Sequence, residues 1–225
     1  MSYPAAKRVF DRVCAAAALL ALTPVLLLAA LAIRLSSPGP VLYRATRAGL
    51  SGTPFAMFKF RTMRVGSDAA SRITAGSDTR IFPVGRVLRR LKLDELPQLV
   101  NVLRGEMSIV GPRPEDVSIV EQHYTPWMME TLEMAPGITS PGALHGTLLG
   151  EERIGSDDPE HDYVLHVLPL KLALELNYVR HASMALDLQV VVRTLLLIGG
   201  RTTSSHDVEV EAARQLLTEL DSPLP

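Results

Sequence analysis

The sequence predicts an α+β fold. It opens with an apolar helical segment built to enter a membrane, followed by a mostly helical domain with a small β-hairpin and interfacial amphipathic helices. Three observations lead there. Val13 to Ile33 is a run of 21 residues without a charge. Residues 41–60 hold two short β-prone runs around Gly49 and Gly52. Most of the remaining chain has the length and residue types of helices. The 225 residues suit one domain with an appendage, and 47% hydrophobic content supports a folded core. A single cysteine, Cys14, excludes an intrachain disulfide framework. A net charge of −1 argues against a nucleic-acid partner. That figure conceals an asymmetry. Residues 1–113 carry 17 Lys and Arg against 6 Asp and Glu, whereas residues 114–225 carry 6 against 18. The first half is built to meet anions, and a mean hydropathy of +0.18 points to a membrane.

The apolar run comes first. At ~1.5 Å per residue it can reach across a hydrocarbon core of about 30 Å. Lys7, Arg8 and Arg12 before it and Ala30-Leu31-Ala32 within it resemble a signal peptide, but the run exceeds the usual apolar region of roughly 7–15 residues. A spanning helix and a re-entrant hairpin in one leaflet remain. Pro24 removes a backbone hydrogen bond mid-run, and Thr23 can bond a carbonyl freed by the kink. Basic residues flank both ends, with Arg34, Arg44, Arg47, Lys59, Arg61 and Arg64 following and no acid between Arg34 and Ser67. Both flanks suit one anionic leaflet. Residue chemistry leaves spanning and re-entrant insertion open.

Ser36-Ser37-Pro38-Gly39-Pro40 closes this segment as a turn. Residues 41–60 read as a hairpin and residues 65–82 as a polar loop. Val84–Leu93 reads as a helix with Arg86, Arg89 and Arg90 on one face. Pro97 starts a second helix that ends at Gly105. Met107–Val110 leads into a stiff turn, Gly111-Pro112-Arg113-Pro114. Glu115 to Glu133 reads as helix interrupted at Pro126, with Trp127, Met128 and Met129 either in the core or at a membrane interface. Pro136–Gly150 reads as a Gly/Pro-rich loop and Glu151–Asp162 as an acidic one. Leu165–Val179 and Ala185–Ile198 read as helices, the second too polar to span because of Asp187, Gln189 and Arg193. Residues 207–220 form an acidic tail helix. The divisions are 1–35 for the membrane segment, 36–200 for the main domain and 201–225 for the tail.

The densest polar constellation runs from Arg86 to Gln98 and includes Arg89, Arg90, Lys92, Asp94 and Glu95. Leu96 precedes a proline and is biased away from helix, which places Asp94 and Glu95 at a junction near a helix start. Ordinary surface ion pairs are one reading. The other assigns unequal roles, one carboxylate a nucleophile and its neighbour a proton acceptor or metal ligand. Two anions meeting repel, so cations are required, and Lys59, Arg61, Arg89 and Arg113 can supply them. Cleaving a pyrophosphate would also call for a divalent cation. No HExxH, GxGxxG, Walker A or GxSxG pattern occurs. His161 and His166, beside Asp157 and Asp158, make an incomplete metal set.

Ordered motifs now stand out: Lys7-Arg8-x-Phe10-Asp11, Pro38-Gly39-Pro40-Val41, Phe58-Lys59-Phe60-Arg61-Thr62-Met63, the stretch Leu93-Asp94-Glu95-Leu96-Pro97-Gln98 through Asn101 and Gly105 to Gly111-Pro112-Arg113-Pro114, and Pro136-Gly137-Ile138-Thr139. In these the chain resembles the small monotopic phosphoglycosyl transferases, closely over residues 5–114 and more weakly to 196. The motif Tyr178…Ser183…Asp187-Leu188…Thr194 extends the resemblance.

The resemblance implies an enzyme that moves a phosphosugar from a UDP-sugar to a polyprenol (undecaprenyl) phosphate and releases UMP, by ping-pong chemistry. It implies Asp94 as nucleophile, Glu95 as its aid in proton transfer, and Mg²⁺ at Asp94. Arg89 and Arg113 would hold phosphates, with Lys59, Arg61 and Gln98 as further substrate contacts. It also implies a re-entrant anchor marked by Lys7, Arg8, Thr23 and Pro24, both ends on the cytoplasmic face of the inner membrane. The product would pass to downstream membrane glycosyltransferases in capsule, O-antigen, exopolysaccharide or glycoprotein synthesis; a homodimer is left open. Larger relatives carry spanning helices ahead of this module, so a minimal form is expected here. Ser140–Gly146 departs from the family pattern and is expected to shape sugar recognition. A silent membrane scaffold and a UDP-sugar hydrolase are the rival readings.

Overall fold

The computed structural model describes residues 3–66, 79–149, 159–201 and 205–221. Most of the expected loop at 65–82, most of the acidic loop at 151–162, and Asp157 and Asp158 lie outside the described residues.

Helix α1 runs from Tyr3 to Ser36, 34 residues with Pro24 inside. The expected break at Thr23-Pro24 is absent, since the helix continues through it. Thr23 Oγ1 donates to the Leu19 carbonyl at 2.7 Å, not to the Leu20 carbonyl that Pro24 leaves without its i+4 donor. The apolar run also hides a stripe. Lys7, Asp11, Ala15, Ala29 and Ile33 are buried, and Ala18, Leu22 and Leu26 between them are half-buried. That spacing follows one helix face. Its small residues let α1 lie close against the domain. The front half packs on Met57, Leu99, Val102 and Met107, the rear half on Phe60, Phe82 and Leu88. The opposite face stays bare: Leu20 is 80% exposed and Leu27 66%.

Polar groups fix the front of α1. Lys7 Nζ donates to Asp187 Oδ2 at 2.7 Å, with both side chains buried. Tyr178 and Tyr3 hydroxyls donate to the same carboxylate. Ser108 Oγ donates to Asp11 at 2.6 Å. Arg8 points outward and is exposed.

The expected hairpin forms. Strands β1 (Leu42–Ala48) and β2 (Pro54–Phe60) pair antiparallel, Leu42 opposite Phe60 and Ala48 opposite Pro54. Helices α2 (Pro83–Arg90) and α3 (Gln98–Arg104) follow, joined by a 3₁₀ turn at Leu93–Glu95. Asn101 docks α3 on β2: it accepts from Phe58 N at 3.0 Å and donates to the Ala56 carbonyl at 2.8 Å. Next come β3 (Ser108–Val110), α4 (Val117–His123), α5 (Pro126–Met129), β4 (Gly137–Thr139) and α6 (Pro141–Leu149).

Strands β3 and β4 pair in parallel, a contact the sequence pattern did not reveal. Gly111 and Gly137 meet back to back there. A Cβ on Gly137 would lie 2.1 Å from Gly111 N, so no larger residue fits. Backbone bonds then lock the two turns, Gly111 N to the Thr139 carbonyl and Gly137 N to the Pro112 carbonyl. The stretch expected as a loop over 136–150 is therefore β4 and α6. Pro141 sits in the first turn of α6 and Ser140 Oγ accepts from Ala143 N.

The last helices are α7 (Pro159–Asp162), a π turn at Tyr163–Val167, α8 (Leu168–His181), α9 (Met184–Ile198) and α10 (Ser205–Asp221). Met128 is buried among Ile119, Leu168 and Leu172, so the core reading of that segment holds for it. The tail helix α10 packs on α8 through Ala213 and Leu217.

Candidate active site

Lys92, Asp94 and Glu95 sit at the α2–α3 junction, beside an open cavity of about 1220 Å³. Leu91 caps α2, and Lys92 then takes a left-handed backbone, φ 55° and ψ 19°. Such a conformation costs a side-chain-bearing residue roughly 1–2 kcal/mol. It turns the chain so that Asp94 faces inward, 8% exposed. Leu96 adopts right-handed geometry despite preceding Pro97, because its N–H closes the 3₁₀ turn on the Leu93 carbonyl and Pro97 leads straight into α3. The junction was expected; the helical Leu96 was not.

The two carboxylates have different surroundings. Glu95 is gripped by Arg113: Nη2 reaches Oε1 and Nη1 donates to Oε2 at 3.1 Å. Lys59 Nζ adds a contact to Oε1 at 3.3 Å. Burial alone would raise this carboxyl, but the Arg113 and Lys59 charges override it and hold it far below the usual carboxylate range. Asp94 accepts no hydrogen bond among the described residues. Burial, then the neighbouring Glu95 charge, pushes its carboxyl upward, while Lys59, Arg89 and Lys92 oppose the rise.

The expected cations divide by employment. Arg89 lines the cavity and is steered by Thr62, whose Oγ1 accepts from Nε at 2.9 Å. Gly85 makes this approach feasible, since a Cβ there would lie 2.3 Å from the Thr62 carbonyl. Arg113 is oriented by the Ile138 carbonyl as well as by Glu95. Lys59 is depressed by desolvation, and its Glu95 contact works against that fall. Arg61 differs. Its guanidinium donates to the Pro40, Ser37 and Met63 carbonyls and to Ser37 Oγ, and it stacks over Phe82. It ties the end of α1 to the hairpin, and its donors are committed there. Gln98 is fully buried, with both amide atoms unpartnered and outside the cavity lining. Ser140–Gly146 also lies outside the cavity lining, at the start of α6, which packs against α8 and α9.

Sequence reasoning missed the layer behind the site. Glu115 is buried and receives Tyr163 at 2.5 Å, Lys171 at 2.7 Å and Arg47 at 3.9 Å. Glu175, also buried, accepts from Arg113 N at 3.1 Å and from Ser140 Oγ at 2.5 Å. Desolvation pushes its carboxyl up to about 7. For Glu175 the available signal was an acid within the leucine-rich α8, because a buried carboxylate needs a partner.

The bacterial sugar transferase family model matches residues 2–200. The chain belongs to the bacterial sugar transferase family. Among its relatives, a UDP-glucose:undecaprenyl-phosphate glucose-1-phosphate transferase of Caulobacter vibrioides is 40% identical over 193 residues, covering 84% of this chain and 68% of that protein. A protein of the same name from Xanthomonas campestris pv. campestris is 39% identical over 207 residues, covering 88% of this chain and 40% of that one. An exopolysaccharide production protein of Rhizobium leguminosarum is 36% identical over 197 residues, covering 84% of this chain and 93% of that one. The chain thus spans about two fifths of one of these relatives, about two thirds of another and nearly all of the third. The α10 tail lies beyond the family match.

Proposed function

We propose that this sugar transferase moves a phosphosugar from a UDP-sugar to undecaprenyl phosphate through a covalent intermediate on Asp94. The observation that carries the reading is the contrast within the dyad. Glu95 is engaged by two cations, whereas Asp94 stands in a basic cavity with no hydrogen bond to surrender among the described residues. An Asp94 carboxylate oxygen bonds to the sugar-bearing β-phosphorus, and the bond from that phosphorus to the α-phosphate oxygen breaks, so UMP leaves. An oxygen of the lipid phosphate then attacks the same phosphorus. The bond to Asp94 breaks and the carboxylate is restored.

The lipid phosphate needs no proton removed near neutral pH, since a phosphate monoester loses its second proton around pH 6. Glu95, held as a weak base, serves to keep Arg113 and Lys59 facing the phosphates. Arg89 and Arg113 supply the fork geometry that phosphate oxygens favour.

Mg²⁺ fits this donor set as a shared guest. Among the described residues no group of three or more His, Cys, Asp or Glu gathers to cage a metal. A single carboxylate with substrate phosphates is a usual Mg²⁺ environment, and Asp94 provides that carboxylate. The ion would neutralise diphosphate charge.

The membrane relationship follows from α1. It packs on the domain through Ala15 near its front and through Ala29 and Ile33 near its rear, and its outer face is apolar. This supports a monotopic anchor on the cytoplasmic face of the inner membrane, with the nucleophile near headgroup depth. Cysteines placed at positions 2 and 36 in a Cys14→Ala background should label from the same side of sealed vesicles. Labelling from opposite sides would refute the one-face topology.

The enzymatic test is UMP release with UDP-sugars, UDP-glucose first, in the presence of undecaprenyl phosphate and Mg²⁺. Multiple-turnover release that depends on the lipid and is lost in Asp94→Asn is expected. Release of more than one UMP per enzyme without lipid would indicate a hydrolase. No release from any sugar would favour a scaffold.

A further inference from the structure

Lys92 combines three features that no structural requirement explains together. It is one of only two non-glycine residues with positive φ among the described residues. Glycine or asparagine adopts that region more easily, so a long side chain is retained there against a backbone preference. The side chain is exposed and lines the same cavity as Asp94 and Glu95. Its ammonium has no hydrogen-bond or ion-pair partner among the described residues, whereas Lys59 and Arg113 are bound to Glu95 and Arg89 to Thr62.

We propose that Lys92 is a substrate-phosphate ligand, held over the mouth of the cavity by its left-handed backbone. Backbone strain at a cavity lip is a recognised mark of function when the surrounding structure enforces it. Here enforcement comes from both sides, since Lys92 N bonds the Arg89 carbonyl at the end of α2 and the Lys92 carbonyl accepts from Glu95 N. The same turn that buries the nucleophile thereby presents a free cation beside it. Its charge is felt at both Asp94 and Glu95, favouring the ionised form of each. A lysine suits this place because a flexible point charge can follow a phosphate that changes position between bound states. The anion is a phosphate oxygen of the nucleotide sugar or of the lipid acceptor, and this inference rests on the reaction proposed above.

Three variants of the full detergent-solubilised chain test it. Lys92→Asn removes the charge with a residue that tolerates the backbone, Lys92→Arg keeps the charge, and Lys92→Gly relaxes the backbone. UDP binding is read by calorimetry, which needs no turnover, and KM is read for UDP-sugar and for undecaprenyl phosphate in turn. Loss of one charge-assisted contact should weaken one of these about tenfold in Lys92→Asn. Lys92→Arg should recover most of it, and melting temperatures of Lys92→Asn and Lys92→Gly should equal or exceed the wild type. A change confined to UDP and the donor assigns the contact to the nucleotide sugar; one confined to the lipid assigns it to the acceptor. Unchanged constants for both substrates and UDP in Lys92→Asn would overturn the proposal. So would a loss that Lys92→Arg reproduces in full. If the wild type binds UDP but transfers nothing, the reaction falls, and the calorimetric comparison alone decides the lysine.

Discussion

Arg113 holds Glu95 by two guanidinium nitrogens and is itself aimed by the Ile138 carbonyl, which the Gly111–Gly137 contact brings into reach. Two distant motifs thereby meet at one carboxylate. Arg113→Lys keeps the charge and loses the fork. It should lower kcat/KM on the order of 100-fold, because a point charge cannot satisfy Glu95 and a phosphate together. Glu95→Gln should also lower turnover, on the order of 10- to 100-fold, yet leave UDP affinity equal or tighter, since an anion leaves an anion-binding cavity. Weaker UDP binding in Glu95→Gln would contradict the positioning role.

Glu95 also marks acid stability. Its folded pKa lies below the unfolded value, so its contribution is present above the ordinary carboxylate range and is lost as pH falls below it. Denaturant titrations should show wild-type stability dropping below about pH 4.5, with a flatter profile in Glu95→Gln.

Glu175 predicts the opposite trend. Its folded pKa of about 7 is raised by burial, so between the ordinary value of 4.5 and 7 the native state holds a proton that the unfolded chain has lost. Stability therefore falls as pH rises through that window and stays reduced above it. The ceiling is roughly 3 kcal/mol. Glu175→Gln mimics the protonated form and should remove this slope, read by urea unfolding at pH 5 and pH 8. An unchanged slope would show that another group carries it.

The Lys7–Asp187 pair anchors α1 to α9 with both side chains 7% exposed. Lys7→Met leaves two buried carboxylates, Asp187 partly compensated by Tyr178 and Tyr3 and Asp11 by Ser108, and should cost roughly 3–5 kcal/mol. Adding Asp187→Leu should recover part of that. A double variant no better than the single would assign the loss to Asp11 and to packing of the lysine stem.

The legibility of this protein differs by element. The β1–β2 hairpin, the two helices around the dyad and the tail helix follow from turn residues and local period. The membrane segment was legible by composition but not by placement. Its run of alanines and leucines looks uniformly apolar, and only packing shows that Lys7, Asp11, Ala15, Ala29 and Ile33 form one buried stripe. The β3–β4 pair was illegible because strands of three residues have no readable period and their partners lie far apart in sequence. At the site, Asp94, Glu95, Lys59, Arg89 and Arg113 converge as the motifs implied. Arg61 and Gln98 belong to the same motifs, yet Arg61 lines the cavity with its donors spent largely on backbone carbonyls, and Gln98 is buried outside the lining. A motif marks residues that fold together, and its pattern does not separate those facing the cavity from those supporting it. Glu115 was invisible for the complementary reason: its role arises from burial, which spacing does not report.

The central claim is that Asp94 carries the phosphosugar. It is tested most directly by incubating the enzyme with a UDP-sugar labelled in the β-phosphate, without lipid acceptor, and locating the label by peptide mass spectrometry. The account predicts label on Asp94, one UMP released per label bound, transfer of the label to undecaprenyl phosphate on its addition, and no label in Asp94→Asn. Formation of lipid product with no enzyme-bound label, or with the label on another residue, would contradict it.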